Sequence, residues 1–295
     1  MLRSLLFIPA DSEKKLGKIA STAADAFLID LEDSVALPRK EAGRALTGDY
    51  LQAHPIEQRS GQLWVRVNPL DSGMILDDLK AVLPGRPDGV MLPKAESPAD
   101  VEVLSHYLDA LEAVYGLEQN SVKILPVATE TAASLFTIGD YRGVSLPRLT
   151  GLTWGAEDLS TSLHASSNLD TDGRWSLTYR MARSQTLLAA HAAQVQAIDT
   201  LFVNFRDDAG LAESSRQSRA EGFSGRLAIH PAQVDIINAA FMPTAEEVSL
   251  AQAIVAAFNA DPNLGTVGID GKMFDRPHFV QAQRTLALHH QFSAS

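Results

Sequence analysis

Residues 25–50 read DAFLIDLEDSVALPRKEAGRALTGDY. An apolar run, AFLI, ends on the acid-rich DLED, and a helix-like stretch follows from Pro38. The run shows no polar–apolar alternation, so both of its faces need burial, as in a strand of a parallel sheet. The same unit recurs along the chain. Apolar runs at 4–9, 26–30, 63–68, 89–93, 123–127, 149–154, 197–203 and 227–230 alternate with helix-like stretches at 13–23, 38–50, 77–83, 99–115, 178–194 and 209–221. Eight such runs predict a (β/α)8 TIM barrel. The alternative is an open doubly wound sheet, whose nucleotide-binding versions lose support because no GxGxxG or GxxxxGK[ST] motif is present.

The tail breaks the pattern. Residues 244–258 read as a helix with Thr244 as N-cap and Glu246 and Glu247 in its first turn. A polar loop at 261–268, a short loop and a last helix follow. The expected organisation is a catalytic barrel over 1–235 and a C-terminal helical extension over 236–295, serving as a lid and as oligomer contacts.

Composition narrows the function. The chain has 295 residues, 45% hydrophobic and 21% charged, enough for one large core or two ordinary domains. Its 36 acidic and 25 basic residues leave a net charge of −11, which disfavours nucleic acid as a partner. An anionic substrate must then be met by a local basic patch. There are no cysteines, so disulfides, thiolate nucleophiles and Cys-based zinc sites are excluded, and a cytoplasmic location fits. The apolar stretch from Leu5 to Ile8 is too short for a signal segment, and no run approaches the ~18 apolar residues of a membrane span.

Barrel enzymes carry their chemistry just past the C-terminal ends of the strands. Those positions hold Asp30, Glu32 and Asp33; Arg66 and Asn68; Lys94; Glu130; Glu157 and Asp158; and His230. Glu130 and Asp158 follow adjacent strands. As two hard oxygen ligands they suit Mg²⁺, with the remaining positions left to water and substrate. They also read as a helix-start carboxylate and an N-cap. Arg66, in register to enter the mouth, offers a bidentate fork for a carboxylate, or else a structural ion pair with Glu32 or Asp33. Lys14, Lys15 and Lys18 after the first strand, with Lys40 and Arg44 after the second, form either a basic rim for phosphates or a solvated helix face. His230 reads as a hydrogen-bonded packing histidine.

The segments RSLLFIPADSEKKLGKIA, DAFLIDLEDSVALPRKEAGR, WVRVNP, GVMLPKAES, TET, GLTWGAEDL, AIDTLFVNFRDDAGL, GFSGRLAIHPAQV and DGKMFDRPHFVQA run in order from Arg3 to Ala282. Together they resemble the citrate lyase beta-subunit-like proteins, the malyl-, citramalyl- and citryl-CoA lyase group of the HpcH/HpaI aldolase superfamily. The chain departs from that pattern at Ala10, where the family often has glycine, and at Thr129. The resemblance implies a TIM barrel and a Mg²⁺-dependent lyase that splits a 3-hydroxyacyl-CoA thioester into acyl-CoA and a 2-oxo acid. It implies metal ligands at Glu130 and Asp158, and a 2-oxo-acid contact at Arg66 flanked by Glu32 and Asp33. It implies CoA contacts at Lys18, Lys40, Arg3 and Lys14. It also implies a catalytic Asp275 supplied by a neighbouring subunit of a homo-oligomer, a trimer or hexamer; the bland reading has Asp275 cap the last helix. The alternatives are a metal aldolase acting on free 2-oxo acids and a citrate lyase subunit acting on an acyl-carrier-protein thioester.

Overall fold

Eight parallel strands lie in one sheet: β1 (Ser4–Pro9), β2 (Ala26–Asp30), β3 (Gln62–Arg66), β4 (Gly89–Leu92), β5 (Lys123–Pro126), β6 (Gly151–Thr153), β7 (Gln196–Asp199) and β8 (Gly225–Ala228). The computed structural model describes residues 1–261 and 263–293; Pro262 of the expected polar loop and the last two residues of the expected extension lie outside the described residues. The strand order β5-β4-β3-β2-β1-β8-β7-β6 follows the chain in both directions from β1, as a (β/α)8 barrel requires.

The barrel closes between β5 and β6 through two isolated bridges, Ile124 with Leu149 and Val127 with Thr153. The cause is local. The N–H groups of Ile124 and Ala128 reach across to Arg148 O and Thr153 O at 2.8 Å each, but Pro126, between them, has no N–H to give. Alternate residues fill the interior: Leu5, Ala26, Leu28, Trp64, Met91, Leu125, Val127, Ile198 and Leu227 form one buried cluster. Trp64 fits because its strand neighbour is glycine. A Cβ on Gly89 would lie 2.3 Å from the indole.

Helices α1 (Glu13–Leu16), α2 (Lys40–Ala53), α3 (Ile75–Val82), α4 (Pro98–Tyr115), α5 (Ala156–Ser162), α6 (Leu177–Ala192), α7 (Asp208–Glu221) and α8 (Ala232–Ala240) connect and follow the strands. The helix expected over 13–23 is a single turn, α1, followed by a 3-10 turn over Ile19–Ser21. The hydroxyls of Ser21 and Thr22 both donate to Lys18 O, at 2.8 and 3.2 Å, and so compete with continuation of an α-helix. After β5, two 3-10 turns (Ala133–Phe136 and Ile138–Tyr141) stand where a barrel helix is usual.

The chain divides into two compact units, Met1–Asn238 and a second beginning at Ala239. In the second, α9 (Ala245–Ala260), a hairpin of β9 (Thr266–Ile269) and β10 (Lys272–Asp275), and α10 (Arg276–Ser293) pack around Ala251, Ile254, Phe258, Val267, Phe274 and Ala282. Thr244 caps α9 as expected, in a reciprocal box with Glu247. The expected loops are instead partly a hairpin. Its two-residue turn is Asp270 and Gly271, both at positive φ (48° and 76°), the Asp-Gly combination that a two-residue hairpin turn favours.

Candidate active site at the barrel mouth

Asp30 and Arg66 end β2 and β3 and are register partners. Arg66 Nε and Nη2 donate to the two oxygens of Asp30 at 2.7 and 2.8 Å, and Nη1 lies 2.9 Å from Glu32 Oε2. The guanidinium also lies over the Phe7 ring, 4.7 Å from its centroid. The bidentate fork expected to grip a substrate is therefore engaged by Asp30, a partner the sequence did not single out. One N–H on Nη2 and both on Nη1, which touches Glu32 only as an ion pair, remain for a ligand. Asp30 also accepts from the backbone of Glu32 and Ser34 at 2.9 and 3.1 Å, folding DLEDS into a tight turn. Burial alone would raise the Asp30 carboxyl; the Arg66 guanidinium outweighs it and holds the group below its ordinary value.

Across the mouth sits a carboxylate with no such compensation. Glu130 is 4% exposed. Its one hydrogen bond in the site comes from the backbone N–H of Lys94, 2.5 Å from Oε2. Burial, reinforced by the charge of Asp158, pushes its carboxyl up to about 8. The close approach depends on Gly155, where a Cβ would lie 2.7 Å from Glu130 Cγ. Asp158 stands in the first turn of α5 and lines the same cavity. Lys94 Nζ pairs with Glu32 Oε1 and lies 3.5 Å from Asp158 Oδ1 and 3.8 Å from Asp33 Oδ2. Burial raises the Glu32 carboxyl, and its Oε2, in ion-pair contact with Arg66 but poorly aligned, has no hydrogen bond.

These donors fit a hard divalent cation. A buried carboxylate faces a second one, both through oxygen, with neither sulfur nor imidazole beside them. Among the described residues no group of three or more such side chains forms a closed metal cage, so an ion held by the pair keeps positions for water and substrate.

The mouth opens into a cavity of about 900 Å³ whose lining includes Phe7, Arg66, Glu130, Asp158, Trp175 and Leu201. Lys18 lies on its wall, joined by Lys15 rather than Lys14, which is exposed on α1. Two other expected CoA contacts are corrected. Lys40 is buried, and its ammonium donates to Leu31 O, Glu32 O and Asn68 Oδ1 at 2.6, 2.8 and 2.7 Å, which uses all three protons to pin the acidic loop. Arg3 precedes β1, at the opposite end of the barrel from the mouth, and its guanidinium is committed to Asp25 at 2.8 Å. His230, expected as a packing residue, is exposed and lines the cavity. It stacks on Phe205 with ring centroids 4.9 Å apart, and its Nδ1 accepts from Ala232 N at 3.2 Å. That bond puts the neutral ring's proton on Nε2. Asp275, in the second unit, ends β10 half-buried, 2.5 Å from His278 Nδ1. His278, by hydrogen bonding, holds the Asp275 carboxyl below its ordinary value. No helix among the described residues is long and apolar enough to cross a membrane.

Residues 3–231 match the family described as HpcH/HpaI aldolase/citrate lyase, and residues 180–294 match one described as C–C bond lyase of the TIM-barrel fold. The chain is 33% identical to human mitochondrial citramalyl-CoA lyase over 97% of its own length and 85% of that protein's. It is 34% identical to the citrate lyase subunit beta of Haemophilus influenzae, over 96% and 95%. Its structure is similar to that of Mycobacterium tuberculosis CitE in complex with magnesium, acetoacetate and coenzyme A, with a TM-score of 0.76, 31% identity and 98% of each chain covered.

Proposed function

The chain belongs to the HpcH/HpaI aldolase/citrate lyase family, a family of lyases, and from that premise we propose that it cleaves a 3-hydroxyacyl-CoA thioester of the malyl-, citramalyl- or citryl-CoA type into an acyl-CoA and a 2-oxo acid, with Mg²⁺ as cofactor. The observation that carries this reading is the mouth itself. A carboxylate pair, buried Glu130 and half-buried Asp158, shares one cavity with a rigidly held guanidinium and with two lysines, Lys15 and Lys18.

Glu130 and Asp158 are the residues that would hold Mg²⁺. Bound there, Mg²⁺ supplies Lewis acidity, lowering the pKa of the substrate hydroxyl and favouring the carbonyl it becomes. Arg66 directs N–H groups of Nη1 and Nη2 that Asp30 leaves unused at the substrate carboxylate. Asp30 and Glu32 fix its plane, so that no reorganisation accompanies bond breaking. Phe7, Trp175 and Leu201 keep water from the thioester. Lys15 and Lys18 meet the CoA phosphates on a chain whose net charge of −11 otherwise repels them. The bond between the hydroxyl-bearing carbon and the acyl α-carbon breaks, its electron pair passes to the acyl enolate, and the hydroxyl proton passes to solvent. Asp275 returns a proton to that enolate carbon, acting from a neighbouring subunit of a homo-oligomer.

Incubating the purified protein with malyl-, citramalyl- and citryl-CoA, with Mg²⁺ or with excess EDTA, tests the reading. The expected products are acetyl-CoA and one of glyoxylate, pyruvate or oxaloacetate, with none in EDTA. Turnover confined to free 2-oxo-acid aldols, or to an acyl-carrier-protein thioester, would overturn the choice of a CoA ester.

A further inference from the structure

Lys94 has no role in the mechanism above, yet its geometry is costly. It stands two residues past the end of β4, after Pro93, with φ at 53°, a left-handed backbone that a long side chain seldom adopts. This turn lets one residue address four carboxylates. Its N–H points at Glu130 Oε2, at 2.5 Å, while its ammonium pairs with Glu32 and lies 3.5 Å from Asp158 and 3.8 Å from Asp33. The backbone and the side chain thus act in opposite senses on a cation. The N–H fixes one of its ligands. The ammonium shares another of them and sets a positive charge beside the place where the ion would sit.

We propose that Lys94 is a positioning residue that holds down the divalent-cation affinity of the Glu130–Asp158 pair, keeping the ion exchangeable. The proposal rests on the assignment of those two residues as metal ligands. It has a direct electrostatic basis. A unit positive charge within about 4 Å of a ligand oxygen opposes a divalent ion more strongly than a monovalent one, and the partly buried setting screens it poorly. The mouth holds Asp30, Glu32, Asp33, Glu130 and Asp158 against Arg66 and Lys94. Arg66 is spent on Asp30 and Glu32, so Lys94 is the cation nearest the candidate ligands whose partners can be exchanged.

Titration of the metal-free protein with Mn²⁺, a hard stand-in for Mg²⁺ read by its electron paramagnetic resonance, needs no substrate and no turnover. Lys94→Gln removes the charge and leaves a shorter unbranched side chain. Lys94→Asn also removes the charge, with a residue that accepts the left-handed backbone more readily, which guards against misfolding. Both should bind Mn²⁺ at least ~10-fold more tightly than the wild type, since a single close charge acts on this scale. Lys94→Arg, which keeps the charge, should not tighten binding. Unchanged or weaker Mn²⁺ binding in both neutral variants would overturn the proposal and leave the metal assignment standing. Glu130→Gln is the control for that assignment: if it binds Mn²⁺ as the wild type does, the metal pair is wrong and the role of Lys94 falls with it.

Discussion

Two buried carboxylates, Glu130 after β5 and Asp199 at the end of β7, face opposite fates. Asp199, the last residue of β7, is 1% exposed and points outward between the barrel and its helices. It accepts from Arg226 Nη2 at 2.9 Å, from Arg183 Nη2 at 3.1 Å, from Ser218 Oγ at 2.5 Å, from Trp154 Nε1 at 2.7 Å and from Thr200 N at 2.9 Å. Burial would raise its carboxyl, but Arg226 and Arg183 together hold it well below the usual range. Glu130 is as deeply buried, has a single backbone donor, and is pushed the other way. Burial therefore does not tell architecture from function; the supply of positive partners does. A saturated carboxylate is a strut, and an unsaturated one at the mouth is free to serve a ligand, the role proposed above for Glu130.

The sharpest way to break this contrast is Glu130→Gln. Turnover should fall by at least ~10³-fold, the scale of losing a principal electrostatic stabiliser. The melting temperature should hold or rise, because a carboxyl whose ionisation burial opposes has been removed. Activity near wild type would reduce Glu130 to packing. Asp199→Asn should do the reverse. Leaving two buried guanidiniums underpaired costs ~3–5 kcal/mol of stability, read in a urea melt, while kcat/KM of the folded fraction changes little. A kinetic defect with normal stability would erase the distinction.

Arg66 stands between these extremes, being both strut and tool. Arg66→Lys keeps the charge but loses the fork on Asp30. We expect kcat/KM to drop by at least ~10-fold, the worth of a charge-assisted hydrogen bond, with a modest fall in stability. Stability loss alone would make it purely structural. The smallest effect is a matter of pH. Because the folded state lowers the Asp199 pKa, the unfolded chain binds more protons in acid. The Asp199 contribution is complete above the unfolded value of ~3.9 and is lost as pH falls below it toward the folded value. The stability gap between wild type and Asp199→Asn should narrow from pH 5 to pH 3. A constant gap would show that Asp199 does not titrate against its arginines.

Much of this was legible in the sequence because the periodicity of buried strands is local. Asp30, Arg66, Glu130 and Asp158 follow apolar runs, and strand direction alone sends them to one end of a barrel. Arg3 was legible too, since a residue before a strand lies at the end of the barrel opposite the mouth. Lys40 and Lys18 could not be separated in this way. Both follow a strand and share a side chain, and only the three-dimensional course of residues 31–34 turns the Lys40 ammonium inward. The engagement of the Arg66 fork by Asp30 likewise depends on strand register. The hairpin that ends in Asp275 had a signal in Asp270–Gly271, hidden because its strands are only four residues each.

Pro126 has a consequence for motion. The β5–β6 line is the seam of the barrel, pinned at its ends and missing a bond at its centre. Stability is local, and the least cooperative boundary is where a closed structure breathes first. Glu130 and Asp158 stand on opposite banks of that boundary, one after β5 and one after β6. An ion held by both, as proposed, would be a rivet across the gap. Amide protons on either bank, those of Ala128 and Thr150 among them, would then exchange with solvent more slowly once it binds, so that the weakest hoop of the barrel would report whether its site is filled.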